Sequence, residues 1–455
     1  MNKIKFFTAI ITANLLVLFI RLLNKSGSTA LPGLIALKIC PDFIKFASKY
    51  CNKDIITITG TNGKTTTAGI LAHILRENGN KILHNEKGAN MLSGIVSELV
   101  KNIGICNKKD YFVFESDEAY LKKLYEQLDS NYLLITNIFR DQLDRYGEID
   151  NTFRKIQDAI DKNPNLKLIL NANDPIVSMF KSNSDNIYFG FNDIEMMYDS
   201  AEVKSPFDAI NCPYCGDNMF YTKKYYSHIG KYNCSCGYGI IPLKYNAEAK
   251  IFPEYSLINL QYRNKTINFK INLPGLYNAY NALGAICCAL ELNYPLDVIQ
   301  TAVKSYKSIF GRSENILING KKALVQLIKN PVGATEVLRL VTDYKNAKIL
   351  IILNDNPADG KDVSWIWDAN FEVLKNFKEK IFISGTRASD MALRLKYAGI
   401  EKKQIHIEKN IQKAMVKSLA SISKNETLLI LPTYTALLNL EKIIKHNKIK
   451  NFVKA

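Results

Sequence analysis

The sequence predicts an α/β protein in which a doubly wound, mostly parallel sheet carries a small cysteine-rich insertion and is followed by a second α/β domain. Short aliphatic runs alternate with helix-like stretches, which is typical of parallel sheets whose strands are joined by helices. This alternation stops in residues 206–245, where Cys, Gly and Tyr replace the aliphatic runs, and it resumes after residue 322. The length of 455 residues is enough for two or three domains.

The first half of the chain begins with the clearest strand and helix pattern. The β-branched run at residues 54–59 precedes a tight glycine-containing turn, and a helix pattern with one apolar stripe then extends to Gly79. Strand, turn and helix in this order are how a parallel α/β sheet begins. Further strands are predicted at residues 111–114, 132–136 and 167–170.

The second half predicts a helix at residues 278–292 and then a second sheet. Its strand candidates are residues 323–327, 348–353, 380–384 and 427–431. We therefore expect three parts, of which the last has an ordinary domain size. They are an N-terminal apolar helix and linker (1–50), a central domain (51–305) and a C-terminal domain (306–455).

Composition limits the class of protein and its compartment. Hydrophobic residues make up 47% and charged residues 23%, which excludes global disorder. The net charge of +17 suits an anionic partner, such as a nucleotide, a nucleic acid or an acidic lipid surface, but lysine abundance along the whole chain explains it equally well. Of the nine cysteines, five are scattered in apolar surroundings, as buried thiols are, and four cluster. No disulfide framework is visible, so we expect a reducing cytoplasm.

An apolar run lies at the N-terminus, from residue 6 to residue 20. It is shorter than the roughly 20 residues that a membrane-spanning helix needs. Arg21 and Lys25 come before any small-residue cleavage site, unlike in a signal peptide. We expect a helix packed on the protein body, and the alternative is a helix that lies on the inner membrane surface.

The turn after the first strand reads Gly60-Thr61-Asn62-Gly63-Lys64-Thr65-Thr66. Glycines let backbone N–H groups face phosphate oxygens, and the following helix adds partial positive charge at its N-terminus. Lys64 offers a full charge for the β and γ phosphates, and Thr65 offers a hydroxyl for Mg²⁺. The general phosphate loop has four residues between its glycines and would need a glycine at Ile58, so this is a shortened variant. The alternative is an ordinary βα turn with a surface lysine.

This loop resembles the ATP loop of Mur ligases and folylpolyglutamate synthases, and other motifs of that family follow in the same order. They are Glu115, residues 136–138, 141–147 and 171–175, Asn278 and Asn281 in one helix, Arg312, and residues 385–394. The resemblance covers about residues 50–436. It implies a Mur-ligase central ATP-binding domain in which residues 60–66, Asn278, Asn281 and Arg312 bind ATP, while Thr65 and Glu115 hold magnesium.

Two departures from the family pattern change what the resemblance implies. Gln142 stands where the family has a histidine, so metal or water contacts there are expected to differ. The segment Gln326-Leu-Ile-Lys329-Asn330-Pro331 replaces an Asp-x-Ala-His-Asn-Pro run, so the usual site for an incoming amino acid is not recognisable. The carbamylated lysine of many Mur ligases cannot be assigned to a residue either.

The clustered cysteines form the pairs Cys212-x-x-Cys215 and Cys234-x-Cys236. Each short spacing lets two thiolates reach one ion, and four thiolates make a closed tetrahedral zinc site that is structural rather than catalytic. A zinc ribbon would stabilise an insertion that has few aliphatic residues. Four unrelated cysteines are the alternative, and a basic zinc ribbon is also typical of nucleic-acid binders.

The Mur-like core, the cysteine insertion and residues 354–368 together resemble the MurT family of ligase subunits. The resemblance implies a heterodimer with a GatD-like glutaminase. It also implies ATP-dependent amidation of the D-glutamate α-carboxylate of lipid II through an acyl phosphate. The five histidines of the chain make no recognisable Cys-His nucleophile, so the partner would supply that pair.

The same resemblance assigns Asp362 to the partner's catalytic site, as the carboxylate that orients a histidine. The alternative is local, because aspartates in Pro/Gly turns commonly cap backbone N–H groups. Trp365 and Trp367, the only tryptophans of the chain, are candidates for interface anchors or for core residues.

Three functions stay open on the sequence. They are an amidating ligase subunit, a stand-alone Mur-type or folylpolyglutamate-type ligase that adds an amino acid, and a zinc-ribbon nucleic-acid-binding ATPase. The order of the motifs favours the first, with ATP, Mg²⁺ and a structural Zn²⁺. We expect it to act in peptidoglycan synthesis, in the cytoplasm or at the inner face of the cell membrane, without a nucleic-acid partner.

Overall fold

The computed structural model describes residues 2–22, 30–86, 90–103, 107–140, 149–197, 211–239, 241–308, 311–341, 344, 347–445 and 452–454. Lys25, Cys106, Gln142 and the motif at 141–147 lie outside these ranges. Within them the chain forms two large sheets, one separate hairpin and the helices that cover them.

The helices of the described chain are α1 (Asn2–Leu22), α2 (Leu31–Ile39), α3 (Phe43–Ala47), α4 (Lys64–Glu77), α5 (Leu92–Asn102), α6 (Leu121–Tyr125), α7 (Ile149–Ile160), α8 (Leu276–Glu291), α9 (Leu296–Ser305), α10 (Pro331–Val341), α11 (Trp365–Asp368), α12 (Ala388–Tyr397), α13 (Ile411–Ala420) and α14 (Tyr434–Lys445). The strands up to residue 271 are β1 (Ile55–Thr59), β2 (Ile82–His84), β3 (Tyr111–Glu115), β4 (Tyr132–Ile135), β5 (Lys167–Asn171), β6 (Ile187–Met196), β7 (Phe220–Tyr226), β8 (Ile229–Asn233), β9 (Tyr245–Ile251), β10 (Ser256–Tyr262) and β11 (Lys265–Ile271).

The first sheet has the strand order β11-β10-β9-β6-β5-β4-β1-β3-β2. From β2 to β9 neighbouring strands are parallel, and β10 and β11 extend the sheet with antiparallel pairing. All of β1 is buried, because helices cover both faces of a doubly wound sheet. β1 lies in the interior of the sheet, and its carboxyl end belongs to the edge formed by the carboxyl ends of the parallel strands. Folds of this kind bind ligands in a crevice along that edge.

The predicted strands of this half are confirmed as β1, β3, β4 and β5, and the predicted helix at 278–292 is α8. The edge strands β9 to β11 were not predicted. In β9 buried and exposed residues alternate, since one face of this antiparallel edge is solvated, so it lacks the continuous aliphatic run of a central parallel strand.

The second sheet consists of β12 (Arg312–Ile318), β13 (Lys321–Gln326), β14 (Ala347–Ile352), β15 (Ile381–Ser384), β16 (Ile405–Ile407), β17 (Thr427–Pro432) and β18 (Phe452–Lys454). Its order is β16-β15-β14-β17-β13-β12-β18, with the first five strands parallel and the last two antiparallel. The four predicted strands are confirmed as β13, β14, β15 and β17. The α/β class with two sheets is thus as predicted, while the domain limits at residues 50 and 305 stay predictions.

The N-terminal apolar run is part of a longer helix, α1, which has 21 residues. Phe6, Ala9 and Ala13 on one side of it are buried against the body of the protein, as predicted. Asn14 donates from its Nδ2 to the carbonyl oxygen of Val100 at 3.1 Å. By length and composition alone the segment Lys3–Ile20, with a mean hydropathy of 1.8, is the one candidate membrane span found in the described chain.

Candidate active site

The turn between β1 and α4 has a backbone conformation that favours glycine. Gly60 has a φ of +124° and Gly63 a φ of +89°. A Cβ atom on Gly60 would lie 2.3 Å from the Oγ1 of Thr136, and one on Gly63 would lie 2.0 Å from the Oδ1 of Asn281. The two glycines therefore permit both the turn and the close approach of β4 and α8 to it.

The residues that follow β4 hold the loop in place. The backbone N–H of Thr61 donates to the carbonyl oxygen of Asn137 at 2.8 Å, and that of Asn62 donates to the Asn137 Oδ1 at 2.9 Å. The hydroxyl of Thr136 donates to the carbonyl oxygen of Asn62 at 2.7 Å. Two motifs that are far apart in the sequence thus form one rigid unit.

The turn at residues 171–175 supports this unit from the next strand. The Nδ2 of Asn171 donates to the carbonyl oxygen of Thr136 at 3.1 Å, and the Oδ2 of Asp174 accepts from the backbone N–H of Ile138 at 2.9 Å. Asn171 and Asp174 are fully buried. Their position explains these polar residues at the end of β5 as supports for the loop.

Lys64, the first residue of α4, is buried beside a carboxylate that the sequence motifs do not include. Its ammonium donates to the carbonyl oxygen of Gly60 and to both carboxylate oxygens of Glu118, the latter at 3.2 Å. Burial raises the pKa of the Glu118 carboxyl, and the charge of Lys64 opposes that rise. A positive charge is therefore kept at the amino end of a helix, where backbone N–H groups also favour anions.

Glu115, Thr65 and Arg312 lie together at the end of β3. The Oε1 of Glu115 accepts from Asn90 at 3.3 Å, whereas its Oε2 is buried and has no hydrogen-bond partner within the described residues. Arg312 Nη2 lies 3.4 Å from the hydroxyl oxygen of Thr65. Burial lowers the pKa of Arg312, and the Glu115 carboxylate opposes that effect. A buried carboxylate oxygen without a partner and a nearby hydroxyl are donors that Mg²⁺ accepts, so these residues fit the predicted ion.

A cleft opens between the loop and the second sheet. Its lining includes six of the residues predicted to bind ATP, namely Asn62, Gly63, Thr66, Asn278, Asn281 and Arg312. The structure thus brings residues from both halves of the chain to one cleft, and their roles in binding stay predictions.

Polar side chains connect α8 with the second sheet at the floor of the cleft. The Nδ2 of Asn278 donates to the hydroxyl of Ser313 at 2.9 Å, and that hydroxyl donates to the Oε1 of Gln326 at 3.0 Å. Tyr277 also donates to this Oε1, at 3.2 Å. The Nε2 of Gln326 is buried without a partner in the described chain, so it has a donor to offer a ligand.

The segment that departs from the Mur pattern contacts the phosphate loop itself. The Lys329 ammonium donates to the carbonyl oxygen of Thr61 at 3.1 Å, and the Nδ2 of Asn330 donates to the Oδ1 of Asn62 at 2.9 Å. The Oδ1 of Asn330 accepts from the backbone N–H of Gly333 at 2.8 Å, at the start of α10. This departure therefore lies at the junction between the two sheets, beside the predicted ATP residues.

A buried acid, Glu336 on α10, also lines the cleft. Burial raises its pKa to about 6, and Arg339, 3.5 Å away, opposes the rise. Its Oε1 is buried with no hydrogen-bond partner among the described residues. A buried polar atom without a partner is typical of a binding site in which the ligand supplies the missing hydrogen bond.

The four clustered cysteines converge as predicted. The Sγ atoms of Cys212 and Cys236 are 3.5 Å apart, those of Cys215 and Cys234 are 3.4 Å apart, and all four lie within 4.8 Å of one another. Zinc with Zn–S bonds of about 2.3 Å in a tetrahedron requires sulfur separations of about 3.8 Å. Both turns contain a glycine with positive φ, Gly216 and Gly237, next to the second cysteine of each pair. The donor set therefore fits a structural zinc ion.

The hairpin β7–β8 joins this cysteine cluster to the cleft. Tyr226, at the end of β7, lines the cleft, and the backbone N–H of Gly230 in β8 donates to the carbonyl oxygen of Asn173 at 2.9 Å. Arg339 of α10 donates to the carbonyl oxygen of Tyr225 at 3.5 Å. The insertion is thus one wall of the cleft, a placement that the sequence did not indicate.

Asp362 lies in a turn at some distance along the chain from these residues. Its carboxylate accepts from the backbone N–H of Ser364 at 2.8 Å and from the Ser364 hydroxyl at 2.9 Å, and these bonds lower its pKa. The local capping alternative is therefore realised, and the catalytic role stays a prediction. Trp365 is buried in the core of the second domain, whereas Trp367 is exposed and stacks edge-on against the exposed Tyr397.

Several residues of the candidate site belong to no short sequence motif and were therefore not predicted. Glu118 was not singled out, although it is the partner of Lys64. Tyr226, Gln326 and Glu336 line the cleft but come from three different elements. Of the scattered cysteines, Cys51, which precedes β1, is only partly buried rather than buried as predicted, and its thiol donates to the carbonyl oxygen of Asp54 at 3.3 Å. Glu336 alone among the unpredicted residues has a signal in the sequence, because a charged residue within an apolar helix face indicates a functional site.

Comparison with known proteins shows the family. The Mur ligase middle domain matches residues 58–219, and the MurT ligase C-terminal domain matches residues 327–437. A lipid II isoglutaminyl synthase (glutamine-hydrolyzing) subunit MurT from Staphylococcus aureus strain COL is 37% identical over 420 residues, which are 92% of each chain. The protein of the same name from Streptococcus pneumoniae R6 is 34% identical over 429 residues, which are 93% of each chain.

Solved structures show the same fold at lower identity. A pseudomurein peptide ligase type C from Methanothermus fervidus superposes with a TM-score of 0.67 at 23% identity, covering 87% of this chain and 79% of that one. Mycobacterium tuberculosis folylpolyglutamate synthase complexed with ADP gives a TM-score of 0.63 at 11% identity, with 95% and 98% covered. Both likenesses concern the fold. Since relatives named MurT cover nearly the whole chain at more than 30% identity, this chain belongs to the MurT family of Mur-type ligases.

Proposed function

We propose that this chain is the ligase subunit that amidates the D-glutamate α-carboxylate of lipid II, using ATP and ammonia from a separate glutaminase subunit. The observation that carries the proposal is that Asn62, Gly63 and Thr66 of the phosphate loop, which also contains Lys64, line a cleft shared with the second sheet. The named activity of the 37% identical relative, a glutamine-hydrolysing lipid II isoglutaminyl synthase, supports the substrate and the role in peptidoglycan synthesis.

The chemistry follows from the positive charges at the loop. A carboxylate oxygen of the substrate attacks the γ-phosphorus, and ADP leaves with the electron pair of the broken P–O bond. Lys64 and Arg312 stabilise the negative charge that develops on the phosphate oxygens. Thr65 and Glu115 would hold Mg²⁺, which neutralises phosphate charge. Ammonia then attacks the acyl carbon, inorganic phosphate leaves, and a proton is lost to give the amide.

Binding of a triphosphate requires a change of partner at Lys64. In the structure its ammonium is bound by Gly60 and Glu118. In the proposal it turns toward the β and γ phosphates, and Glu118 remains close enough to keep it oriented. The residues at the start of α4 would supply N–H groups to the phosphates, whereas the N–H groups of Thr61 and Asn62 are bound by Asn137. Asn278 and Asn281 line the same cleft and would contact the nucleoside.

The cysteine cluster would hold zinc for a structural reason. Its hairpin carries Tyr226 into the cleft wall, so a bound ion would fix that wall. Four thiolates leave no open coordination position, and we assign the ion no part in the reaction.

The glutaminase partner, a GatD-like subunit, would dock on the second domain near Asp362. The relatives are named as subunits of a glutamine-hydrolysing enzyme, which supports a partner. Trp367, Leu393 and Tyr397 are large apolar residues that are exposed on neighbouring helices of this domain. Aromatic residues of this kind commonly anchor interfaces, and Asp362, which precedes Trp367 by five residues, would then reach the partner's histidine.

The test uses the purified full-length chain with ATP, lipid II and either ammonium chloride or glutamine. Amidation with ammonium and not with glutamine, analysed by mass spectrometry of the released stem peptide, supports the proposal. Amidation from glutamine should then appear when a GatD-like glutaminase is added. Incorporation of a free amino acid would show a stand-alone ligase instead. Salt-sensitive nucleic-acid binding without any ligase activity would overturn both.

A further inference from the structure

The helix α1 has a second apolar side that faces solvent. Ile4, Ile11, Leu15 and Leu18 follow one another at intervals of seven, four and three residues, which places them on one stripe of a helix. Together with Phe19 they are between 55% and 72% exposed. The neighbouring helix α2 adds the exposed side chains of Leu31 and Leu34. These seven residues, called here the α1 face, form a large uncovered apolar surface, which in a soluble domain marks an interaction site.

The opposite side of α1 is fastened to the protein. Phe6 is buried, and its ring lies 4.9 Å from that of Phe43 and 5.9 Å from that of Tyr50, measured between ring centroids. Ala9 and Ala13 are fully buried on the same side, and Asn14 is bonded to the end of α5. A helix that crossed a bilayer would lose all of these contacts. The packing therefore favours a helix that lies flat, with one side on the protein and the other available to a lipid surface.

The charge around the α1 face is strongly one-sided. Residues 1–50 contain seven lysine and arginine residues and a single acidic residue, Asp42. Five lysines of this region are exposed, at the start of α1, near the end of α2, within α3 and just after it, namely Lys3, Lys5, Lys38, Lys45 and Lys49. A second copy of the chain would place like charges against each other. An anionic lipid surface complements them, and its apolar layer accepts the side chains between them.

The exposed side of α1 also carries two threonines, Thr8 and Thr12, whose small hydroxyls suit the interface between head groups and acyl chains. The hydroxyl of Thr8 is exposed but donates to the carbonyl oxygen of Ile4 at 2.9 Å, so it keeps a partner when water is removed. Lys3 and Lys5 lie at the start of α1, where their long side chains can reach the head-group region.

We propose that the α1 face docks on the surface of an anionic phospholipid bilayer, with α1 lying in the plane of the interface. This extends the proposed function, since it holds the ligase beside a substrate that is itself a lipid. The docking depends on the side chains of the α1 face and not on the nucleotide cleft. It therefore works with or without ATP.

Co-sedimentation with vesicles tests the docking. The full-length chain should bind vesicles of phosphatidylcholine with phosphatidylglycerol, and bind phosphatidylcholine alone more weakly. The double variant Ile11→Glu/Leu15→Glu should lose more than about tenfold in lipid partitioning, because charged side chains insert poorly. The matched control Ile407→Glu/Val416→Glu changes two residues that are 51% and 52% exposed on the second domain, and it should bind as the wild type does. Equal binding by both double variants would overturn the proposal.

A second measurement does not depend on the stability of the charged variant. A nitroxide label on Leu18→Cys should become accessible to lipid-soluble oxygen when vesicles are added, whereas a label on Val416→Cys should remain in water. Resistance of the bound chain to alkaline carbonate extraction would show a spanning helix and overturn the proposal. A concentration-dependent dimer that the Ile11→Glu/Leu15→Glu exchange abolishes would do so as well, because a second copy would then cover the α1 face.

Activity separates this inference from the proposed function. Amidation of detergent-dispersed lipid II should be the same for wild type and the Ile11→Glu/Leu15→Glu variant, while amidation of vesicle-embedded lipid II should fall in the variant. If the wild type binds vesicles through the α1 face but amidates neither form, the docking stands and the proposed function fails. Equal activity on vesicle-embedded lipid II in both would contradict the docking.

Discussion

The ammonium nitrogen of Lys64 lies 3.2 Å from each carboxylate oxygen of Glu118, and both side chains are buried. A buried pair of this kind is costly to break from one side, because the remaining charge is left without a partner. Glu118 thus keeps the charged side chain of Lys64 at the loop when no nucleotide is bound.

Replacement of the lysine should remove nucleotide binding. Lys64→Ala deletes the charge that is proposed to contact the β and γ phosphates, so ATP affinity should fall by at least about tenfold. Titration with a fluorescent ATP analogue measures this. Lys53→Ala, which changes an exposed lysine just before β1, is the matched control and should keep wild-type affinity. Undiminished ATP affinity and turnover in Lys64→Ala would refute the proposed site.

Glu336 predicts a pH dependence of stability. Its folded-state pKa of about 6 lies above the ordinary value of 4.5, so the folded protein resists its ionisation. Its contribution to stability is present below pH 4.5 and is lost as the pH rises through about 6. By linkage the loss is roughly 2 kcal/mol. Urea unfolding of wild type and Glu336→Gln between pH 4.5 and 7.5 should show the difference between them changing by that amount. Parallel stability curves would contradict it.

The cysteine cluster predicts one tightly bound zinc ion per chain. Cys215→Ser should reduce the zinc content measured by inductively coupled plasma mass spectrometry. It should also loosen the hairpin that carries Tyr226. Amide hydrogen exchange in β7 and β8 should rise accordingly. Cys51→Ser is the control, since Cys51 lies outside the cluster, and it should retain zinc and exchange slowly. Full zinc content in Cys215→Ser would exclude the four-thiolate site.

The role proposed for Asp362 predicts that its replacement affects amidation from glutamine and not amidation from ammonium. Asp362→Asn should leave ammonium-driven amidation unchanged and abolish the glutamine-driven reaction in the presence of the glutaminase. Asp359→Asn is a useful contrast, because Asp359 is buried and its Oδ1 accepts from the backbone N–H of Thr435 at 2.7 Å. That change should lower stability and so affect both reactions. Equal loss of both in Asp362→Asn would assign this residue to folding or to ATP chemistry.

How far the sequence predicts the site depends on how local each signal is. The loop at residues 60–66 follows a strand and begins a helix, so its structure could be predicted from neighbouring residues alone. The cysteine pairs are equally local, and they converge as expected. The parallel strands β13, β14 and β17 were recognised because buried strands are continuous aliphatic runs.

The remaining parts of the site depend on contacts between distant segments. Asn330 meets Asn62 across 268 residues of chain, and Tyr226 reaches the cleft from an insertion whose position in space no spacing rule fixes. Glu118 follows β3 without a periodic pattern, so only the fold shows that it meets Lys64. The antiparallel edge of the first sheet was missed for a different reason, because its half-exposed strands resemble polar loops.

The absence of a side chain at Gly63 has a consequence for how this protein can vary. A methyl group there would enter the space that the Asn281 amide now occupies, since the two atoms would be 2.0 Å apart. Gly63 therefore cannot be exchanged on its own. A larger residue at 63 would demand a smaller one at 281, and it would still be strained by the φ of +89°. In any set of related sequences position 63 should therefore remain glycine wherever position 281 is asparagine.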